Sequence, residues 1–369
     1  MSKLDNLFKE YGQSPWIDNL RRDWLEDGTL AALVANGVRG VTSNPAIFAK
    51  AFATSSAYDS LLAQANSLDA ESVFEQLASS DVRDACDVLG ALHTLSRDEF
   101  TRGLRRYCDG FVSLEVSPRL ARDAEKTVAA AIKLWRQVDR ANVMIKIPAT
   151  REGLGAITQV LAQGINVNVT LIFSLERYNE VLAAWCEGLE AARDNGHDLS
   201  TVASVASFFV SRVDAAVDQL LDDDDVLRGH IANSQVARAY QFYLRWMADE
   251  RVVNLLRDGA QVQRPLWAST SPKNPTYDDL LYVNSIVANE TVNTMPDATL
   301  NAALDHGRFE ASLLATPGSL IATAALVDLL PQGVSLTEVT QRLENEGVDA
   351  FVSSYEELLA LVASKLERK

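Results

Sequence analysis

The feature that most constrains the fold is a two-residue alternation that recurs in short runs along the chain and is polar on one side only. In Asn166-Val167-Asn168-Val169-Thr170-Leu171, Val167, Val169 and Leu171 take one side, and Asn166, Asn168 and Thr170 take the other. Val143, Ile145 and Ile147 likewise share a face opposite Met144 and Lys146, and Val112, Leu114 and Val116 alternate with Phe111, Ser113 and Glu115. Successive side chains of a strand point to opposite faces, so each run reads as a strand with two unlike faces. Further strands are expected at 16–18, 38–43, 202–209, 264–270 and 291–295.

Helical spacing fills the intervals. Residues 4–11 read as a short helix ended by Gly12-Gln13-Ser14-Pro15, and further helices fall at 30–35, 121–138, 153–162, 176–192 and from about 213. Several helices at about 46–106 form an insertion between strands, because this stretch has no linker of its own. Beyond the last strand lie helices at 300–304, 321–330, 336–343 and 355–366, and the last two make a C-terminal addition at about 333–369.

Eight strands separated by helices fit either a closed parallel barrel or a doubly wound open sheet. An open parallel sheet is covered by helices on both faces and needs both to be apolar. Here one face carries Thr42, Glu115, Lys146, Asn168 and Thr170, with Asn44 in the same phase. Those groups can point inward together only if the inside is a barrel interior whose upper end is a site. They also fall late in their strands, where barrel enzymes hold their chemistry. The expected fold is therefore a (β/α)8 TIM barrel, with residues 1–369 forming one domain.

Composition narrows the function. A net charge of -16 over 369 residues argues against a general nucleic-acid or anionic-membrane binder, since both need a basic face. An anionic substrate would have to be held by a few local cations. Cys86, Cys108 and Cys186 are odd in number and widely spaced, which suggests neither a disulfide framework nor a thiolate cluster and fits a reducing compartment. His93, His197, His230 and His306 are equally scattered, so no metal is inferred. The run Asp222-Asp223-Asp224-Asp225 reads as a solvated loop in preference to a cation site. Charge within Met1-Ser2-Lys3-Leu4-Asp5, and the lack of an apolar run long enough to span a bilayer, lead us to expect a cytoplasmic protein. No apolar stripe marks the C-terminal part, and with an acidic surface this favours a monomer or small homo-oligomer.

Lys146 is the unusual residue. An amine in an apolar strand either reaches out at an edge, is held by a structural carboxylate, or is kept for its chemistry, because an unpaired buried ammonium is costly. Desolvation favours the neutral amine, which is a nucleophile towards carbonyl carbon. A Schiff-base lysine is the chemical reading, and a buried ion pair, with Glu115 the natural partner, is the structural one.

Four ordered motifs carry a resemblance: Gly40-Val41-Thr42-Ser43-Asn44-Pro45, Val112-Ser113-Leu114-Glu115-Val116, Val143 through Thr150, and Asn168-Val169-Thr170-Leu171-Ile172-Phe173-Ser174. Together they resemble the transaldolases, in the longer bacterial form and over nearly the whole chain. The resemblance implies a barrel of class I aldolase type that uses neither metal nor organic cofactor. Its substrates would be sugar phosphates, between which a dihydroxyacetone unit is transferred in the non-oxidative pentose phosphate pathway. Lys146 then matches the Schiff-base lysine, Asp18 the general acid/base, and Glu115 with Thr170 the pair that positions a water for proton transfer. Asn44 and Ser207 match groups that bond the hydroxyls of the transferred unit. In Ser207-Phe208-Phe209-Val210-Ser211-Arg212, Phe209 matches a wall of the site and Arg212 a phosphate ligand.

Without the resemblance, Asp18 reads as a helix-start carboxylate and Phe209 as core. Two departures stand out. Ser269-Thr270-Ser271-Pro272-Lys273-Asn274 occupies the place of a second phosphate arginine, which makes Lys273 the candidate there, as a point charge instead of a planar fork. The first strand reads Ile17-Asp18-Asn19-Leu20 in place of the usual sequence. Three other functions remain open: a Schiff-base aldolase that acts on fructose 6-phosphate without acceptor, an isomerase using Glu115 and Lys146, and a binding protein without turnover.

Overall fold

The computed structural model describes residues 2–65 and 69–367. Parts of the insertion at 46–106 and of the C-terminal range 333–369 therefore lie outside the described residues. Eight parallel strands close in sequence order into a (β/α)8 barrel. They are β1 (Gln13–Ile17), β2 (Gly40–Val41), β3 (Phe111–Glu115), β4 (Val143–Pro148), β5 (Val167–Ile172), β6 (Ser204–Phe209), β7 (Arg264–Ala268) and β8 (Thr291–Met295). Closure is made by β8 against β1, in register from Gln13 opposite Thr291 to Ile17 opposite Met295.

Strand side chains are buried throughout, that of Glu115 included, because outward residues meet helices and inward ones meet each other. The bottom of the interior is ionic. Arg264, first in β7, bonds the Ser14 hydroxyl at 2.7 Å, the Cys108 carbonyl at 3.1 Å and the Asp109 carboxylate at 3.1 Å. Asp109 also accepts from Arg39 at 2.9 Å and from the Trp16 indole at 3.1 Å. Burial alone would raise the Asp109 pKa; the charges of Arg264 and Arg39 and the Ser14 hydrogen bond overcome it and hold this carboxyl below its usual range. Trp16 lies so close to β2 that a Cβ on Gly40 would fall 2.3 Å from its ring, which requires glycine at that position. Above this floor Asn168 donates to Ser113 at 3.0 Å and accepts from Ser207 at 2.7 Å, tying β3, β5 and β6 across the interior.

Several boundaries differ from the sequence reading, each for a local reason. Pro15 does not end a helix but sits inside β1, where its carbonyl accepts from the Arg39 amide at 2.8 Å. The second strand shrinks to Gly40–Val41, because Asn44 leaves the ladder to cap the helix Pro45–Thr54. Helix 121–138 begins at Ala124 behind the cap Asp123, after a turn of 3₁₀ helix at Pro118–Leu120. The helices Arg22–Glu26, Ile231–Trp246 and Glu250–Arg257 are not among the expected elements. The buried face of Ile231–Trp246 includes Asn233, Ser234 and Gln235, which hide it.

The alternation in β5 is interrupted at Leu171. This residue has a left-handed φ of 61°, and the pairing with β6 skips from Val169–Ala206 to Ile172–Phe208. The two C-terminal helices are one helix, Leu336–Glu367, of 32 residues. Gly347, within the gap expected between them, allows close packing: a Cβ there would meet Leu171 Cδ2 at 3.2 Å and Phe173 at 3.4 Å. The acidic run is a solvated loop as expected, with Asp222, Asp223 and Asp224 exposed. Among the described residues no helix is long and apolar enough to cross a membrane, and no group of His, Cys, Asp or Glu could hold a metal.

Candidate active site

Strand parity assembles the site. Lys146 of β4, Thr170 of β5, Ser207 and Phe209 of β6, Ala268 of β7 and Thr294 of β8 all point inward near the ends of their strands. They are joined by Asp18 and Thr42, which directly follow β1 and β2. Together they line a cavity of about 170 Å³ at the top of the barrel. Asn44, Arg212 and Lys273 reach it from the loops and helix starts beyond the strands. Eight of the nine expected residues thus share one cavity. The ninth, Glu115, lies behind Lys146.

Lys146 is 5% exposed. Its ammonium donates to the Ser43 carbonyl at 2.8 Å and pairs with Glu115 Oε2 at 3.5 Å, across the register pair Glu115–Lys146 of β3 and β4. That Glu115 oxygen is buried and has no hydrogen-bond partner. Burial raises the Glu115 pKa to about 7, against the opposing pull of Lys146. A carboxyl that titrates near neutrality can both give and take a proton. Because its folded value lies above its ordinary 4.5, Glu115 binds its proton more tightly in the folded chain. Its contribution is most favourable below about 4.5 and declines as pH rises towards about 7, by on the order of 3 kcal/mol. Glu115→Gln should flatten that part of the pH dependence of Tm, as thermal unfolding between pH 4.5 and 7 would reveal; an unchanged slope would contradict the assignment.

Asp18 is the second perturbed carboxyl. Its amide donates to Met295 at 2.9 Å, and Oδ1 accepts from Thr42 at 2.5 Å; Thr42 in turn meets Thr294 at 2.7 Å. Burial raises the Asp18 pKa and prevails over Lys146 and Thr42, which lower it. Asp18 and Glu115 are thus held in different surroundings, as two carboxyls with separate proton-transfer tasks require.

Asn44 Oδ1 accepts from the Ile47 amide at 3.0 Å as a helix cap, which leaves its amide hydrogens able to donate elsewhere in the cavity it lines. Arg212 lies 5.6 Å from the Phe209 ring centroid, and burial, opposed by Glu346, lowers its pKa. Lys273, exposed at the rim, has its pKa lowered first by partial loss of water and next by the Arg212 charge. The lining carries three cations, Lys146, Arg212 and Lys273, against the single carboxylate of Asp18. This inverts the charge of the molecule as a whole and suits an anionic ligand.

The cavity also includes residues to which the sequence reading gives no role. Thr42 and Thr294 are in phase with their strands and were legible by parity. Ser269, Ser271 and Pro296 follow strand ends. Phe351 comes from the helix Leu336–Glu367, and no local signal connects it with a pocket built from strands.

The family pattern described as transaldolase/fructose-6-phosphate aldolase matches residues 15–362. The chain belongs to this family. Among its relatives, the transaldolase of Thermobifida fusca is 49% identical, covering 99% of this chain and 98% of that protein. The transaldolase of Mycolicibacterium paratuberculosis is 48% identical over 94% of this chain and 93% of its own length, and that of Saccharopolyspora erythraea 45% over 100% and 98%. The transaldolase family membership identifies an enzyme, a transferase, with a barrel-top cavity in the position expected of barrel enzymes.

Proposed function

We propose that the protein is a transaldolase that moves a dihydroxyacetone unit from sedoheptulose 7-phosphate or fructose 6-phosphate to glyceraldehyde 3-phosphate or erythrose 4-phosphate, through a Schiff base on Lys146. The single observation that supports this most is the buried Lys146 amine beside Glu115, opening onto the cavity it shares with Asp18, Arg212 and Lys273. The pathway would be the non-oxidative pentose phosphate pathway, in the cytoplasm. The protein would act as one barrel, monomeric or in a small homo-oligomer.

In this reading the Lys146 amine attacks the ketone carbon, and water leaves to give an iminium. Glu115 and Thr170 hold the water through which protons reach and leave that centre. Asp18 takes the proton of the C4 hydroxyl; the C3–C4 bond breaks, its electron pair flows into the iminium, and the aldose phosphate departs. The enamine left on Lys146 adds to the carbonyl of an acceptor, whose oxygen recovers the proton from Asp18. Water then releases the new ketose. Asn44 and Ser207 bond the hydroxyls of the three-carbon unit, Phe209 walls the site, and Arg212 and Lys273 bind the phosphate.

The family also takes in fructose-6-phosphate aldolase, which makes acceptor-free cleavage the second reading. The two are separated by glyceraldehyde 3-phosphate release from fructose 6-phosphate, with and without erythrose 4-phosphate, in chelator-treated buffer. Release that requires the acceptor and survives chelation is the expected result. Equal release without acceptor would make the protein an aldolase.

A further inference from the structure

The segment 271–279, which carries Lys273 between β7 and β8, is half-buried to exposed throughout and has little packed against it. The cavity described above touches one side, at Ser269, Ser271 and Lys273, and a second cavity of about 190 Å³ touches the other, at Ser271, Pro272, Asn274 and Pro275. Side-chain packing therefore does little to fix where Lys273 stands. Its fixed points are at the ends: Thr270, whose hydroxyl bonds Asn293 Oδ1 at 2.9 Å and the Thr294 carbonyl at 3.2 Å on β8, Asp279, which meets His306 at 3.0 Å, and a set on one neighbour, the segment Ser211–Leu220 that also bears Arg212.

At the near end Ser269 leaves β7 with a left-handed φ of 57°, an unfavourable conformation for a residue with a Cβ. It is held there by the Ser211 amide, which donates to its carbonyl at 3.0 Å, and by a hydroxyl pair with Ser211 at 2.9 Å. At the far end two tyrosines donate to two carboxylates one helical turn apart. Tyr282 bonds Asp214 and Tyr277 bonds Asp218, each at 2.7 Å. The second oxygen of each carboxylate is engaged by the backbone of the following segment: Asp214 accepts from the Ala232 amide at 2.7 Å and Asp218 from the Gly229 amide at 3.0 Å. Asp214 is 1% exposed and Asp218 6%, so both carboxylates are largely withheld from bulk water. The Tyr277 ring also abuts Gly229, where a Cβ would lie 3.0 Å from it.

We infer that Asp214–Tyr282 and Asp218–Tyr277 form a brace that sets the separation of Arg212 and Lys273, which makes these four residues positioning residues for the phosphate end of the substrate. The inference rests on the reading of Lys273 and Arg212 as phosphate ligands. The two cations repel one another across the site, and a loop with a cavity on either side would relax away from that repulsion. The brace opposes this relaxation from outside the cavity and touches no part of the substrate. Its effect is confined to phosphate affinity, since Lys146, Asp18 and Glu115 are held by other strands.

The test uses Tyr282→Phe, Tyr277→Phe and Lys273→Ala in the full chain, with fold retention followed by thermal unfolding. Each tyrosine variant should raise KM for fructose 6-phosphate by about 3- to 10-fold, the range of one lost hydrogen bond, and leave kcat near that of the parent. Inhibition by inorganic phosphate should weaken by the same factor, while kcat/KM with unphosphorylated fructose should stay unchanged. A purely structural role would depress both donors together, and that outcome overturns the inference. So does an effect of Lys273→Ala on phosphate binding that neither tyrosine variant shares. If Lys273→Ala moves neither KM nor phosphate inhibition, the assignment of Lys273 is what fails, and the brace fails with it.

Discussion

Lys146→Ala is expected to abolish turnover, by on the order of 10⁴-fold or more, and to leave the barrel folded. Without the amine there is no iminium, and the electron pair of the breaking C3–C4 bond has nowhere to go. Folding should survive because the partner left behind, Glu115, has a pKa already raised to about 7 and can take up a proton in place of its ion pair. Borohydride reduction in the presence of fructose 6-phosphate, followed by peptide mass analysis, should place a three-carbon adduct on Lys146 of the parent and none on the variant. Turnover that persists in the variant would remove the Schiff-base mechanism; a variant that cannot fold would turn Lys146 into a structural residue. An unmodified Lys146 in an active parent would point to isomerase chemistry.

Asp18→Asn should lower kcat by roughly 10²- to 10⁴-fold, the usual range for a positioned acid/base. The change keeps the shape of the side chain, and Thr42 can still donate to the amide oxygen. Schiff-base formation does not need Asp18 in this mechanism, so the donor should still condense with Lys146 and then stop before the carbon–carbon bond breaks. Borohydride would then trap the intact six-carbon sugar phosphate in place of the three-carbon unit. A three-carbon adduct formed at the parental rate would show that another group takes the C4 hydroxyl proton.

Much of the barrel could be read from the chain because strand parity is a local signal. The polar phase of β3, β4 and β5 indicates an inside that is not apolar, and it brings Lys146, Glu115 and Thr170 to one end before any contact is known. Asn44 shares the polar phase, though only the resemblance gives it a ligand, and Lys273 was legible only through resemblance, since a lysine in a loop looks alike whether or not a ligand lies beside it. The reading failed where tertiary packing overrules the local pattern. The gap expected between 343 and 355 is continuous helix, in which Gly347 is a point of close approach to Leu171. Asn233 and Gln235 look exposed and are buried. Phe351 has no neighbour in sequence that belongs to the site.

The placement of Phe351 has a consequence in time. The closing pair β1 and β8 joins Gln13 to Thr291, 278 positions apart, and the helix that brings Phe351 to the cavity follows every strand in the chain. Contacts between such distant parts form late, because the chain must lose much of its freedom before they reward it. The cavity is therefore walled by residues drawn from Asp18 to Phe351, and it exists only once nearly the whole chain has folded.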